Sequence, residues 1–113
     1  MLGLLLVTLG PDQGRSFPLA EGKILDIGRG PDNDTQLTDR HVSRHHCQVE
    51  LREGKALLSD CGSAGGTWVN GARITQHELR PGDAIRIGYT QLWFRWVAPE
   101  ELNTLSQLDL EED

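Results

Sequence analysis

The chain has 113 residues, of which 37% are hydrophobic, so it can build the core of one small domain and has no room for a second. Its formal net charge of −6 comes from the end of the chain: the last fourteen residues contain six acidic side chains and no basic one, and residues 1–99 have 11 acidic against 11 basic residues. A neutral body with an acidic tail argues against a general nucleic-acid-binding protein, which needs a basic face.

The two cysteines and the N-terminal apolar run bear on the cellular compartment. Cys47 and Cys61 are too few for a secreted disulfide framework, and we interpret them as buried or half-buried thiols in a reducing compartment. The run Leu2–Leu9 is too short to span a bilayer and lacks the basic region and cleavage site of a signal peptide. These features predict a cytoplasmic chain without membrane contact.

Short apolar and alternating segments separated by turn residues follow one another along the whole chain. They predict strands over 2–9, 15–19, 23–27, 35–37, 47–52, 55–60, 67–69, 72–74, 84–88 and 91–97. Glu53-Gly54 and Asn70-Gly71 are typical of hairpin turns, and Arg80-Pro81-Gly82-Asp83 fits a type II turn. Pro18 indicates an edge strand or a bulge. The pattern predicts an all-β chain, an antiparallel β-sandwich of about eleven short strands.

After Pro99 the pattern changes. Leu102, Leu105 and Leu108 stand at helical spacing among acidic residues, which is compatible with a short amphipathic helix or a disordered tail. We therefore divide the chain into a domain over 1–98 and an acidic tail or linker over 99–113.

Three predicted loops contain residue types that a simple connection does not need. They are Gly28-Arg29-Gly30, Ser43-Arg44-His45-His46, and the stretch from Asp60 to Gly71, called below the first, second and third loops. Together they offer guanidinium groups, a serine hydroxyl and backbone N–H groups, which are donors suited to a phosphoryl group. No carboxylate pair or activated nucleophile accompanies them, so an enzyme has the least support.

These loops resemble the signature of the forkhead-associated (FHA) family. The matching residues are Gly28-Arg29, the Ser-x-x-His of Ser43 and His46, and Gly65-Gly66-Thr67-Trp68-Val69-Asn70-Gly71, in the family's order, and the resemblance covers about residues 3–97. It implies an FHA/SMAD-like sandwich with the binding site in loops at one end. The implied function is recognition of a phosphothreonine-containing protein or peptide in Ser/Thr kinase signalling, without a cofactor.

The resemblance also implies roles for individual residues. Arg29 would make a charge-assisted contact to the phosphate, Ser43 would donate its hydroxyl, and Arg44 would contact the phosphate or the peptide backbone. His46 would brace the loops by hydrogen bonds, and Asn70-Gly71 would serve the hairpin that holds the third loop. The residues that the resemblance assigns to support of the site are Gly28, His46, Thr67, Asn70 and Gly71.

Ala64 and Gly65 depart from the family, which usually has Thr-Asn at these two positions. We keep both residues in the predicted binding site, although Ala64 offers only its backbone N–H and Gly65 has no side-chain amide. A lost hydrogen bond to a charged group typically costs about 1.5–3 kcal/mol, which is roughly a tenfold to hundredfold loss of affinity. We therefore predict that most of the contacts to the phosphate are kept and that the contacts to the peptide backbone are weaker than in the family.

Several alternatives stay open from the residues alone. The Ala64-Gly65 departure motivates a scaffold that keeps the fold and binds partners independently of phosphorylation. A metal site among His41, His45, His46 and Cys47 is disfavoured because the segment reads as a loop and two of its histidines are adjacent. Trp68, Trp93 and Trp96 are interpreted as core or half-buried packing residues. We expect a monomer, alone or within a longer multidomain protein.

Overall fold

The computed structural model describes residues 1–102, and their strands form two antiparallel sheets, as the all-β prediction requires. The strands of this part of the chain are β1 (Leu2–Leu9), β2 (Ser16–Leu19), β3 (Ile24–Ile27), β4 (Cys47–Arg52), β5 (Lys55–Asp60), β6 (Thr67–Val69), β7 (Ala72–Ile74), β8 (Gln76–Glu78), β9 (Ala84–Ile87) and β10 (Thr90–Val97). One sheet has the order β2-β1-β10-β9-β6-β7 and the other has the order β3-β4-β5-β8.

The core lies between the two sheets because alternate residues of each strand point inward. In β4 the buried residues are Cys47, Val49 and Leu51, while Ile85 and Ile87 of β9 face them from the six-stranded sheet. Full burial of one such aliphatic side chain contributes about 1.5–3 kcal/mol. The sandwich is thus stabilised by the same alternation that predicts its strands.

The first strand is only partly the buried strand that its apolar run suggests. Leu5 and Val7 are buried in the core. Leu6 points to the opposite face and is 37% exposed, and Leu9 at the end of the strand is 54% exposed. Because β1 is paired on both edges, by β2 and β10, its backbone is protected even where its side chains face outward.

The structure contains the turns that the sequence predicts at Asn70-Gly71 and at Arg80-Pro81-Gly82-Asp83. Asn70 has a φ of 50° and Gly71 a φ of 87°, the left-handed pair that a type I′ hairpin turn needs. Gly82 has a φ of 89°, and the N–H of Asp83 donates to the carbonyl of Arg80 at 3.0 Å, as in a type II turn. Pro18 lies in β2, at an edge of the six-stranded sheet, where a missing N–H is tolerated.

Two strand predictions are wrong, and the described chain has ten strands rather than about eleven. Residues 35–37 are not a strand, because the carbonyls of Thr35 and Gln36 accept hydrogen bonds from the Arg15 guanidinium, both at 3.0 Å, rather than from a neighbouring strand. Conversely, the sequence predicts no strand over residues 76–78, but these residues form β8, which pairs with β5 at the edge of its sheet. Its three residues are all polar and show no alternation of apolar and polar side chains, a composition that is common in edge strands.

Strand register brings the three loops to one end of the sandwich. Ile27, the last residue of β3, pairs with Cys47, the first of β4, and Cys47 also pairs with Asp60, the last of β5. The first and second loops therefore lie beside the start of the third, which continues into β6 at Thr67.

The region beyond β10 is described only in part. Residues 99–102 form one helical turn, whereas Thr104, Leu105 and Leu108 lie outside the described residues, so the predicted helix or tail stays a prediction. Within residues 1–102, no helix has the length and apolar character needed to cross a membrane.

Candidate functional site

The first loop lies directly against the backbone of the second. The N–H of Arg29 donates to the carbonyl of Ser43, and that of Gly30 to the carbonyl of Arg44, both at 3.0 Å. Gly28 is buried, and a Cβ at this position would collide with the carbonyl oxygen of Arg44. A glycine is therefore required at position 28 by close approach of two backbone segments.

Arg29 is exposed, and only one part of its guanidinium is used within the protein. Its Nε donates to the carbonyl of Val42 at 3.1 Å. Within residues 1–102, no protein group accepts a hydrogen bond from its two terminal nitrogens. The guanidinium is thus held beside Ser43 with its outer donors directed away from internal partners, an arrangement suited to an external anion.

His46 is fully buried and joins the second loop to the third. Its Nδ1 accepts the N–H of Ser43 at 3.0 Å, and its Nε2 lies 2.8 Å from the carbonyl of Gly66. A neutral ring with its proton on Nε2 satisfies both contacts, and we assign this tautomer from the partners. The imidazole therefore acts inside the scaffold and offers no nitrogen to a ligand.

Ser43 and Ala64 close the contact between the second and third loops. The N–H of Ala64 donates to the Oγ of half-buried Ser43 at 3.0 Å. Because the oxygen is the acceptor here, the hydroxyl hydrogen of Ser43 stays available as a donor. Ala64 and Gly65 are exposed, and the Ala64 N–H is engaged with the serine.

Asp60 organises the third loop from the end of β5. Its Oδ1 accepts the hydroxyls of Ser63 at 2.6 Å and Thr67 at 2.7 Å, and its Oδ2 accepts the N–H groups of Gly62 at 3.0 Å and Ser63 at 3.2 Å. Partial burial by itself raises the pKa of Asp60, but these hydrogen bonds outweigh burial and hold the pKa below its ordinary value. The carboxylate is a structural acceptor with its oxygens occupied.

Asn33 is a structural residue of the site that the sequence analysis does not single out. It is buried, and its Nδ2 donates to the carbonyls of Gly30 at 2.8 Å and Arg44 at 2.6 Å. The amide therefore clamps the first loop to the second. Its place between two aspartates, Asp32 and Asp34, in a turn cluster carries no local signal of this long-range role.

Asp39 is a second structural residue that the sequence did not single out. Its carboxylate accepts the N–H of His41 at 2.9 Å, the N–H of Tyr89 at 2.8 Å and the hydroxyl of Thr90 at 2.8 Å. Burial raises its pKa, but these hydrogen bonds outweigh burial and lower the pKa overall. Asp39 thus ties the segment that precedes the second loop to the β9–β10 turn.

The structure brings most of the predicted site residues together. Arg29, Ser43 and Ala64 are linked through the backbone and side-chain bonds described above, and Arg44 and Gly65 are exposed members of the same loops. The Arg44 carbonyl accepts from the first loop, while its side chain faces solvent.

Asn70 and Gly71, the last residues of the predicted third loop, form the turn between β6 and β7, and β6 separates them from the loop residues 60–66. Asn70 donates through Nδ2 to Asp83 at 2.9 Å and accepts the N–H of Ala84 at 3.0 Å. Their support of the loop is therefore indirect and passes through the three residues of β6.

Two interpretations of packing residues are wrong. Cys47 is buried, but Cys61 is exposed, because it begins the third loop rather than ending a strand. Trp93 is 51% exposed on the outer face of β10, while Trp96 packs against the core edge-on to Phe94 with ring centroids 5.1 Å apart. Within residues 1–102, no three His, Cys, Asp or Glu side chains are grouped so as to hold a metal ion.

Comparison with known proteins assigns this arrangement to one family. A family model described as FHA domain matches residues 25–88. The chain is 41% identical over 91 residues to the FHA domain-containing protein FhaA of Mycobacterium tuberculosis, a match that covers 79% of this chain and 17% of that protein. It is 38% identical to the oxoglutarate dehydrogenase inhibitor of Corynebacterium efficiens, over 80% of this chain and 63% of the inhibitor.

A solved structure agrees with these matches. A chain from a structural and functional analysis of phosphothreonine-dependent FHA domain interactions superposes with a TM-score of 0.78 and is 36% identical, over 87% of this chain and 99% of that chain. The chain spans less than two thirds of the length of each of these two relatives, one an FHA domain-containing protein and the other an enzyme inhibitor.

Proposed function

Because the chain belongs to the FHA domain family, we propose that it binds phosphothreonine-containing proteins or peptides as a recognition module of Ser/Thr kinase signalling and does not catalyse a reaction. One observation carries the proposal. The N–H of Arg29 donates to the carbonyl of Ser43, and the Arg29 Nε donates to the carbonyl of the preceding residue, Val42. A guanidinium and a hydroxyl with unused donors therefore project from two hydrogen-bonded backbone segments at one end of the sandwich.

The donors match the chemistry of a phosphate monoester. Arg29 would supply two terminal N–H groups as charge-assisted donors, Ser43 would supply its hydroxyl hydrogen, and Arg44 would add a second positive charge from the same loop. Their backbones are fixed by hydrogen bonds to one another before any ligand arrives. Preorganisation of this kind reduces the conformational entropy that is lost on binding.

Ala64 and Gly65 contribute to the proposed site mainly through the backbone. The Ala64 N–H holds the Ser43 oxygen and so orients the hydroxyl toward the ligand. Gly65 leaves an open surface where a peptide backbone can approach. Gly28, His46, Thr67, Asn70 and Gly71 support the site from behind, by close backbone contact, by bridging hydrogen bonds and by the β6–β7 hairpin.

A phosphorylation-independent scaffold is the second candidate, and the missing side chains at Ala64 and Gly65 favour it. The test that separates the two functions is a degenerate phosphothreonine peptide library, measured against its unphosphorylated twin by fluorescence anisotropy. The proposal expects binding that requires the phosphate and falls at least about tenfold in Arg29→Ala, which loses a charge-assisted contact. Equal binding of both libraries would establish the scaffold instead.

The proposal has three further parts. The recognition domain comprises residues 1–98, with residues 99–113 as an acidic tail or linker. It acts as a monomer, by itself or within a longer protein. It acts in the cytoplasm, a reducing compartment to which its two free thiols are suited.

A further inference from the structure

A row of three side chains crosses the outer face of the six-stranded sheet next to the third loop. Trp68 of β6 pairs with Arg73 of β7 on one side and with Arg86 of β9 on the other. Directly opposed residues of antiparallel strands share a face, and Thr67 and Val69 on either side of Trp68 are buried in the core. The three side chains, called here the Arg–Trp–Arg row, therefore lie together on the outside of the sandwich.

The row is physically joined to the proposed phosphate site. The guanidinium carbon of Arg86 lies 5.2 Å from the centre of the Trp68 ring, and the indole N–H of Trp68 donates to the carbonyl of Gly65 at 3.2 Å. Arg73 lies against the next residue of the loop, since a Cβ built on Gly66 would be 2.8 Å from its Nε. Both arginines thus stand beside the loop that contains Ala64.

The positive charge of the row has no internal counter-charge. Arg73 and Arg86 are exposed, and within residues 1–102 neither guanidinium has a carboxylate within ion-pair distance, because the four ion pairs involve other residues. Residues 1–99 are formally neutral. The two unpaired guanidinium groups on either side of the indole are therefore a local concentration of positive charge and do not reflect an overall positive charge. Planar guanidinium groups suit carboxylates, to which they can donate two parallel hydrogen bonds.

We propose that the Arg–Trp–Arg row recognises acidic residues that flank the phosphothreonine, so that the ligand class is an acidic phosphopeptide. The inference rests on the proposed function. Ala64 and Trp68 are four residues apart, so at most about 14 Å separates their Cα atoms. An extended peptide covers this largest possible separation with about four residues, so we place the recognised acid within about five positions of the phosphothreonine.

The Arg–Trp–Arg row can also offset the absence of the family's usual Thr-Asn pair at positions 64 and 65. The two positions lack the side chains with which relatives hold the peptide, and the Arg–Trp–Arg row contacts the third loop at Gly65 and at the next residue, Gly66. Contacts to acidic side chains of the peptide compensate for part of the missing grip. Selectivity then comes from charge in the peptide as well as from its phosphate.

The test compares two phosphothreonine peptides that differ only in having Glu or Gln within about five positions on either side of the phosphothreonine. Affinities are measured by fluorescence anisotropy for the wild type, Arg73→Gln and Arg86→Gln. The matched control is Arg95→Gln, an exposed arginine of β10 four positions along the strand from Gln91, which is the partner of Arg86. Each row variant should lose about two- to fivefold in affinity for the Glu peptide, the scale of one exposed ion pair, and keep its affinity for the Gln peptide, while the control changes neither.

The outcomes that overturn the inference are distinct from those that overturn the proposed function. If the wild type binds both phosphopeptides, and the ratio of the two affinities is the same in the row variants, only the inference fails. If the wild type binds neither phosphopeptide, the proposed function fails and takes the inference with it. Displacement of the labelled peptide by a single-stranded oligonucleotide, from the wild type but not from the row variants, would assign the row to nucleic acid instead.

Discussion

The backbone N–H of Ser43 donates to Nδ1 of His46 at 3.0 Å, so the residue proposed to bind phosphate is held by the imidazole three positions later. The other ring nitrogen of His46 lies 2.8 Å from the carbonyl of Gly66. One buried ring therefore fixes two loops, and a single side chain couples the stability of the domain to the geometry of its site. The spacing of the Ser-x-x-His motif is the sequence expression of this contact.

His46→Ala is expected to destabilise the domain by about 2–4 kcal/mol. The substitution leaves a cavity and deprives the part-buried Ser43 N–H and the buried Gly66 carbonyl of their hydrogen-bond partner. Urea denaturation measures the effect, with His45→Ala as the control because His45 is exposed. Unchanged stability together with lost phosphopeptide binding would show that His46 acts on the ligand, contrary to the geometry described above.

Gly28→Ala is expected to cost about 1–3 kcal/mol in free energy of unfolding, since the added methyl group meets the Arg44 carbonyl and the two loops must separate. Phosphopeptide affinity should fall as well, because Arg29 moves with its neighbour. Gly65→Ala is the matched control for stability alone: a Cβ there meets nothing within 4 Å. Both quantities can be read from one denaturation series and one binding titration. Equal stability of the two variants would disprove the close approach.

The double substitution Ala64→Thr with Gly65→Asn is expected to tighten phosphopeptide binding about a hundredfold, by returning two side-chain contacts at about 1.5 kcal/mol each. Both positions are exposed, and the space around Gly65 is open, so the new side chains fit without rearrangement. Isothermal titration calorimetry with one phosphothreonine peptide measures the gain. An affinity equal to that of the wild type would mean that these positions do not face the bound peptide.

Acid should destabilise the domain through Asp39, Asp60 and Asp83. Burial raises the pKa of each carboxyl, but hydrogen bonds outweigh burial, so each folded-state pKa lies below the ordinary value. A depressed folded-state pKa stabilises the folded state above the unfolded pKa of about 3.9, and that stabilisation is lost as pH falls through the folded-state value. The contribution of these three carboxyls to the free energy of unfolding should therefore be nearly constant between pH 7 and about pH 5 and should decrease below about pH 4.

Asp60→Asn isolates the contribution of one of these carboxyls. The variant should be less stable than the wild type at pH 7 and should lose less stability on acidification, because one titrating group with a lowered pKa has been removed. Asp32→Asn is the comparison, since its exposed carboxylate forms an ion-pair contact with the exposed His45 ring at 3.4 Å and, within residues 1–102, accepts none of the hydrogen bonds that lower the pKa of Asp60. Parallel pH profiles for Asp60→Asn and the wild type would argue against the hydrogen-bonded carboxylate.

The sequence by itself determined the features that depend on neighbouring residues. Alternation revealed β4, β5, β9 and β10, Asn70-Gly71 revealed a hairpin turn through its need for positive φ, and the spacing of Gly28-Arg29, Ser43 and His46 revealed the family and the loops. Such signals are local, because backbone conformation and side-chain alternation are set within a few residues.

Only the tertiary structure decided which distant groups meet. The hydrogen bond from Ala64 to Ser43, the Asn33 clamp and the Arg–Trp–Arg row each join residues through strand register or loop packing. Tertiary contacts also explain the two errors in the strand predictions. Residues 35–37 are not a strand because Arg15 donates hydrogen bonds to the carbonyls of Thr35 and Gln36. The polar segment β8 is a strand because it pairs with β5. A hydrogen bond to a residue far along the chain does not change the local sequence pattern, so it can be identified only from the tertiary structure.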